Sequence, residues 1–271
     1  KARKNAPMKT PKRLTTLVEE GLVDEVIGQL MSGKEATVYI VRCGEHIRCA
    51  KVYKDAKQRS FRKAISYQEG RKVKNSRQAR AMEKGSRYGR QMQEEVWQNA
   101  EVDALYRLAN AGVRVPQPYI CFDGVLLMDL VVDADGGAAP RLNDVALSEA
   151  VALEFHAILV NQVVRMLCGA GVVHGDLSEF NILLAADGPV IIDLPQAVDA
   201  AGNNHAARML LRDVANLGGY FGRFAPELLH TDHGPEIWDL YERGMLTPEL
   251  VLTGRYEHKT GAVDLGSVMR E

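Results

Sequence analysis

The chain has 271 residues and a formal net charge of -1: long enough to bury a core without disulfide or metal staples, too evenly charged for a generic nucleic-acid binder. Cys43, Cys49, Cys121 and Cys168 form no C-x-x-C pair and no histidine-spaced cluster, so neither a zinc site nor a disulfide framework is indicated and a reducing compartment fits. The apolar runs read as strand-sized, short of the roughly 20 residues that a membrane span needs, and the expectation is a soluble, cytoplasmic protein with no membrane partner.

Residues 1–13 are rich in Lys, Arg and Pro, lack the apolar stretch of a secretory signal, and read as a flexible basic tail. Leu14 to Glu20 predicts a short helix, with Thr16 and Glu19 at capping-box spacing and Gly21 as its stop. Val23–Leu30, Thr37–Cys43 and Ile47–Tyr53 are β-branched and apolar, the pattern of three antiparallel strands. From Lys54 to Met92 there are about thirteen Lys and Arg against about three Asp and Glu. That stretch has too few apolar residues for a core, although Phe61, Ile65 and Tyr67 could anchor a helical piece. It reads as a partly mobile basic insertion, 54–93: either a solvated segment or a docking element for an anionic partner, a ribosomal particle or RNA, or an acidic protein. Its Ser60, Ser66, Ser76 and Ser86 are candidate autophosphorylation sites.

Glu94 to Ala111 returns to helical spacing, with Val96, Trp97, Ala100, Ala104, Leu105 and Leu108 on one side and Gly112 ending it. Pro118–Phe122 and Val125–Leu130 read as two further strands. The Gly- and Ala-rich stretch 134–140 suits a change of lobe. Glu149–Gly169 predicts a buried helix, Val172–Val173, Asn181–Leu184 and Val190–Ile192 short strands, and the remainder helix, with Thr247-Pro248-Glu249 as a helix start. The fold class expected is α+β and two-lobed, protein-kinase-like: a β-rich N-lobe over 14–127, a hinge at 128–133 and a mainly helical, truncated C-lobe over 134–271.

The most informative string is H-G-D-L-S-E-F-N, His174 to Asn181, followed by I-I-D ending at Asp193. Phosphoryl transfer needs a carboxylate beside the attacking hydroxyl and oxygen ligands that hold Mg²⁺ against the ATP phosphates. In that pattern Asp176 is the base and Asn181 and Asp193 are the metal ligands. An isolated Asp is as readily a helix cap, and an isolated Asn a turn residue; the combination carries the assignment. Lys51, in A-K-V-Y on a predicted strand, suits the lysine that binds the α- and β-phosphates, with Glu101 as its helix partner in preference to Glu94 or Glu95 at the helix start. S-G-K-E-A-T-V-Y, from Ser32, nearly spells a Walker A with Gly28. Glu35 stands where the hydroxyl residue should be, however, and a strand follows where a helix should. Ser32, Gly33, Lys34 and Glu35 instead suit a short turn over the phosphates, offering backbone and side-chain donors.

Together these strings resemble the RIO family of atypical protein serine/threonine kinases, in its Rio-one-like, prokaryotic branch. The likeness spans nearly the whole chain and includes W-x-x-x-E before Leu105, D-L-P-Q-A-V from Asp193 and L-R-D-V-x-N-L from Leu211. The resemblance implies a kinase that uses ATP and Mg²⁺, with Mn²⁺ as an alternative, phosphorylates itself and protein Ser or Thr, and in some members acts as an ATPase switch in ribosome maturation. It carries over Lys51, Glu101, Asp176, Asn181 and Asp193 in the roles given, and places Met128 to Leu130 at the hinge facing adenine. Gly175 stands where ordinary kinases have Arg, so no guanidinium is expected there to pair with a phosphorylated loop. Leu194-Pro195 replaces Phe-Gly, which implies a fixed Asp193. The A-P-E at 225–227 is read as coincidental. A small-molecule phosphotransferase also uses H-G-D-x-x-x-x-N, and is the third alternative.

Overall fold

The computed structural model describes residues 11–54 and 100–257. The basic tail up to residue 10, the insertion from residue 55 with its four serines, the predicted helix start at 94–99 and the last fourteen residues lie outside them.

Helix α1 (Lys12–Glu19) starts two residues earlier than predicted and has Pro11 as N-cap, with no side-chain cap. The Thr16–Glu19 capping box is therefore wrong: both residues are inside the helix. The helix is set instead by the fixed φ of Pro11, -56°, and by Leu14 and Leu17, which are fully buried one turn apart.

Strands β1 (Glu25–Ser32), β2 (Ala36–Cys43), β3 (His46–Tyr53), β4 (Pro118–Phe122) and β5 (Val125–Asp129) form one antiparallel sheet in the order β1-β2-β3-β5-β4. One core gathers Leu14, Leu17, Val23, Tyr39, Val41, Ala50, Val125 and Leu127 between α1 and the sheet. Helix α2 (described over 100–110) presents Glu101, Ala104, Leu105 and Leu108 to the interior, at i, i+3, i+4 and i+7.

The second core is larger and is centred on helix α3 (Glu149–Ala170). Ser148 caps α3, its hydroxyl accepting the Val151 N–H at 3.3 Å, and Gly171 ends it at φ 62°, the left-handed turn open to glycine. At 22 residues α3 is long and apolar enough to match a membrane span, against the expectation of strand-sized runs only. Here its Leu159, Val163, Met166 and Leu167 pack into the core together with buried His156 and Gln162.

Two small hairpin-like pairs follow, β6 (Val172–Val173) with β9 (Val198–Asp199) and β7 (Ile182–Ala185) with β8 (Gly188–Ile191). Helices α4 (Ala206–Phe221) and α5 (His233–Glu242) then close against α3. No helix begins at Thr247. The segment makes a turn, Leu250 N–H to Thr247 O at 3.1 Å, and is pinned by other elements: Asn161 donates to Pro248 O at 2.8 Å, and Glu236 accepts the N–H of Thr253 and of Gly254. With the backbone satisfied from outside, capping residues alone do not start a helix.

Candidate active site

Lys51 sits on β3, a strand paired on both sides, opposite Val38 and Leu126. Its side chain is only 12% exposed, and two carboxylates meet its charge: Glu101 Oε1 from α2 at 2.5 Å and Asp193 Oδ1 at 3.3 Å. Burial alone would lower the Lys51 pKa; Glu101 first and Asp193 second outweigh it and hold the ammonium above the usual lysine range. Tyr53, with its ring 5.4 Å from the same ammonium, has its phenol pushed well up by burial and then by Glu101.

Asp193 follows β8 with φ 66°, a left-handed conformation that non-glycine residues seldom take and that clusters at functional positions. Its side chain is 48% exposed, whereas Leu194 and Pro195 behind it are buried. The acid is thus presented outward from a wedged backbone.

Asp176 and Asn181 share one loop. His174, 2% exposed, accepts the Asp176 N–H on Nδ1 at 3.3 Å, which puts its proton on Nε2, where it donates to Ile192 O at 3.1 Å. The imidazole therefore joins the Asp176 loop to the residue preceding Asp193. Ile192 N–H also donates to Asn181 O at 2.9 Å, and Asn181 Nδ2 to Asp176 O at 2.8 Å. Because the Asn181 amide nitrogen is used, its Oδ1 is the atom left for a cation. Two oxygen donors, that one and the Asp193 carboxylate, fit Mg²⁺, which takes few protein ligands and completes its shell with phosphate oxygens and water.

Helix α4 clamps the same loop from behind. Asp213, 2% exposed, accepts the N–H of Gly175 at 2.7 Å and of Leu177 at 3.0 Å, and Asn216 donates to Leu177 O at 3.0 Å. Burial pushes the Asp213 carboxyl up to about 6, against the pull of His174, the two amides and Arg212. Arg212 donates to Gly175 O. Gly175 itself lies at φ 82°, which a side chain would strain. Position 175 itself carries no side chain, and the Arg212 guanidinium that reaches it from α4 meets the Gly175 carbonyl. These clamp residues fall inside the L-R-D-V-x-N-L string, 36 to 39 residues from the loop positions they hold. The signal was an acid on the apolar stripe Met209, Leu210, Asp213, Val214, Leu217, since a charge at a core-facing position needs partners.

The β1–β2 turn differs from the expectation in one donor. Gly33 N–H is not open to a phosphate, because it donates to Ala36 O at 2.9 Å and closes the turn. Ser32 Oγ is 3.2 Å from Thr37 Oγ1, Lys34 is exposed, and Glu35 is half-buried. Lys54, just past β3, reaches back to Gly33 O at 2.6 Å and Ser32 Oγ at 3.1 Å. Met128 pairs with Cys49 near the end of β5, and Leu130 follows that strand, both half-buried.

A five-stranded sheet over a helical layer, with a strand lysine, a helix glutamate and a loop carrying Asp and Asn, is the fold of a two-lobed kinase. A crystal structure of the Rio2 kinase-ADP/Mg²⁺-phosphoaspartate complex from Chaetomium thermophilum matches it with a TM-score of 0.55 at 20% identity, covering 89% of this chain and 80% of that one. Within that class the chain belongs to the RIO family, whose domain model matches residues 37–233. It is 35% identical over 209 residues to the RIO-type serine/threonine-protein kinase Rio1 of Haloferax volcanii, covering 76% of this chain and 67% of that protein. Over 211 residues it is 33% identical to human serine/threonine-protein kinase RIO1, covering 78% of this chain and 35% of that protein. The Rio1 of Methanocaldococcus jannaschii is 32% identical over 200 residues, 73% of this chain and 63% of that one. The chain thus spans between about a third and two thirds of the length of these relatives.

Proposed function

We propose that this protein is an ATP- and Mg²⁺-dependent protein serine/threonine kinase that phosphorylates partner proteins and its own hydroxyls. The observation that carries this is the Lys51 ammonium, buried on β3 between Glu101 at 2.5 Å and the outward-facing Asp193 at 3.3 Å. Such a cation is held in place for phosphate oxygens instead of being free to seek water.

In this mechanism Lys51 binds the α- and β-phosphates while Glu101 holds its direction. Asn181 and Asp193 would hold Mg²⁺, which when bound neutralises charge on the phosphates. Asp176, exposed on its loop, accepts the proton of the attacking Ser or Thr hydroxyl. His174 and Asp213 fix the backbone on either side of Asp176, so that its carboxylate meets the hydroxyl without reorganisation. Asp176→Asn should lower phosphate transfer from labelled ATP a hundredfold or more, as loss of a general base does, with ATP affinity little changed. Full transfer by that variant would refute the assignment.

A second reading is an ATPase switch acting in ribosome maturation without a protein substrate. Its support is the exposed Asp193 carboxylate beside Lys51 and the phosphoaspartate in the Rio2 complex. Labelled ATP separates the two: phosphate on Ser or Thr survives hydroxylamine, whereas an acyl phosphate on Asp193 is released and free phosphate accumulates.

A further inference from the structure

Lys54 is a cation that the mechanism above does not use. It follows β3, and its own N–H donates to Glu35 O at 2.8 Å, which registers it against the β1–β2 turn. From there the ammonium folds back to Gly33 O at 2.6 Å and Ser32 Oγ at 3.1 Å. Both acceptors are neutral. The contrast with Lys51 is instructive: that ammonium is matched by two carboxylates, while among the described residues Lys54 has no acidic partner.

A lysine side chain loses up to about 2 kcal/mol of rotamer entropy when held in one place. A neutral carbonyl and hydroxyl at an exposed site return little more than that. What the arrangement does provide is a full positive charge at the turn expected to cover the nucleotide phosphates, at the place where Gly33 N–H is already spent on Ala36 O. The turn thus lacks one backbone donor and gains an ammonium.

We propose that Lys54 is a further phosphate-binding residue of the nucleotide site, its ammonium held over the Ser32–Gly33 turn to pair with the polyphosphate of a nucleoside triphosphate. The inference rests on the kinase reading and deepens it. A triphosphate offers charge-assisted bonds in place of neutral ones. Lys54 then binds phosphate and clamps the turn to it, while Lys51, with its two fixed carboxylates, keeps its own position.

The test is calorimetric binding of ATP, ADP and adenosine, each with Mg²⁺, to the full chain and to Lys54→Met and Lys54→Arg. Loss of one charge-assisted hydrogen bond predicts roughly tenfold weaker ATP binding in Lys54→Met. Adenosine affinity should be unchanged, the dependence of ATP affinity on salt shallower, and Lys54→Arg close to wild type. Equal weakening of ATP and adenosine would mean that Lys54 only supports the turn, and would overturn the proposal, as would unchanged ATP affinity in Lys54→Met. Lys51→Met is the control: if wild type binds ATP and Lys51→Met does not, a silent Lys54→Met refutes this inference alone. If the wild-type chain binds no ATP, the kinase reading falls with it.

Discussion

Asp213→Asn separates stability from function. In the folded chain this carboxylate accepts two backbone N–H groups, of Gly175 and Leu177, from a fully buried position. Asn offers one acceptor and one donor, so one of those amides loses its partner and faces an N–H instead. Losing a hydrogen bond to a charged group and leaving a buried amide unsatisfied costs about 2–4 kcal/mol. Acting oppositely, the Asp213 carboxyl sits at about 6 against an ordinary 3.8. Those two units correspond to about 3 kcal/mol of penalty at neutral pH, which Asn removes. The two terms nearly cancel, so global stability at pH 7.5 should lie within about 1 kcal/mol of wild type. Activity has no such compensation: the Gly175–Leu177 backbone that sets Asp176 would shift, and displacements of about 1 Å at a reacting group cost on the order of a hundredfold.

The pH dependence carries its own sign. A carboxyl raised from 3.8 to about 6 keeps its proton in the folded state while the unfolded chain has released it. Its contribution is therefore fully stabilising below pH 3.8 and is lost as pH rises through 6. Urea denaturation at pH 4.5 and 7.5 should find the wild type losing, relative to Asp213→Asn, about 2 kcal/mol across that interval. A variant with near-wild-type phosphate transfer, or a stability difference that does not move with pH, would refute the reasoning.

Two further expectations rest on other buried groups. Glu101→Ala removes one of the two carboxylates that meet the Lys51 ammonium; breaking a buried pair from one side should cost about 3 kcal/mol in a denaturant titration and raise the KM for ATP. His156 is 3% exposed, its Nε2 has no hydrogen-bond partner among the described residues, and burial, then His233, lower its pKa to about 4. A depressed histidine stabilises above its ordinary 6.5 and loses that contribution as pH falls toward 4, by about 3 kcal/mol. His156→Phe should flatten that acid limb of the stability profile, measured by thermal melts between pH 4 and 7.

The strands and the long helix were legible because their patterns are local: β-branched runs for β2 and β3, and a long apolar-periodic run for α3. The site was legible to the extent that its residues fall in short strings, as His174 to Asn181 do, or in a helix stripe, as Glu101 does. What escaped depends on distance in sequence. Asp213 meets Gly175 across 38 residues and Lys54 meets Gly33 across 21, and no spacing rule signals either contact. Thr16 and Thr247 failed for the opposite reason: each looks like a helix start locally, but Pro11 in one case and the partners Asn161 and Glu236 in the other had already settled the backbone.

The unequal size of the two cores has a mechanical consequence. Among the described residues the α1 side of the sheet buries eight apolar side chains around Leu14 and Leu17, while the larger core around α3 also takes Ala36, Tyr53 and Leu126 from the other side of the sheet. Less apolar area withdrawn from water means a smaller free-energy gap to local opening, so the α1 side of this roof loosens before the helical floor does. Lys51 hangs from that roof, whereas Asp193 stands on the floor. Their contact spans the crevice like a strut, and an anion wedged beside it would tie the weaker storey to the stronger one.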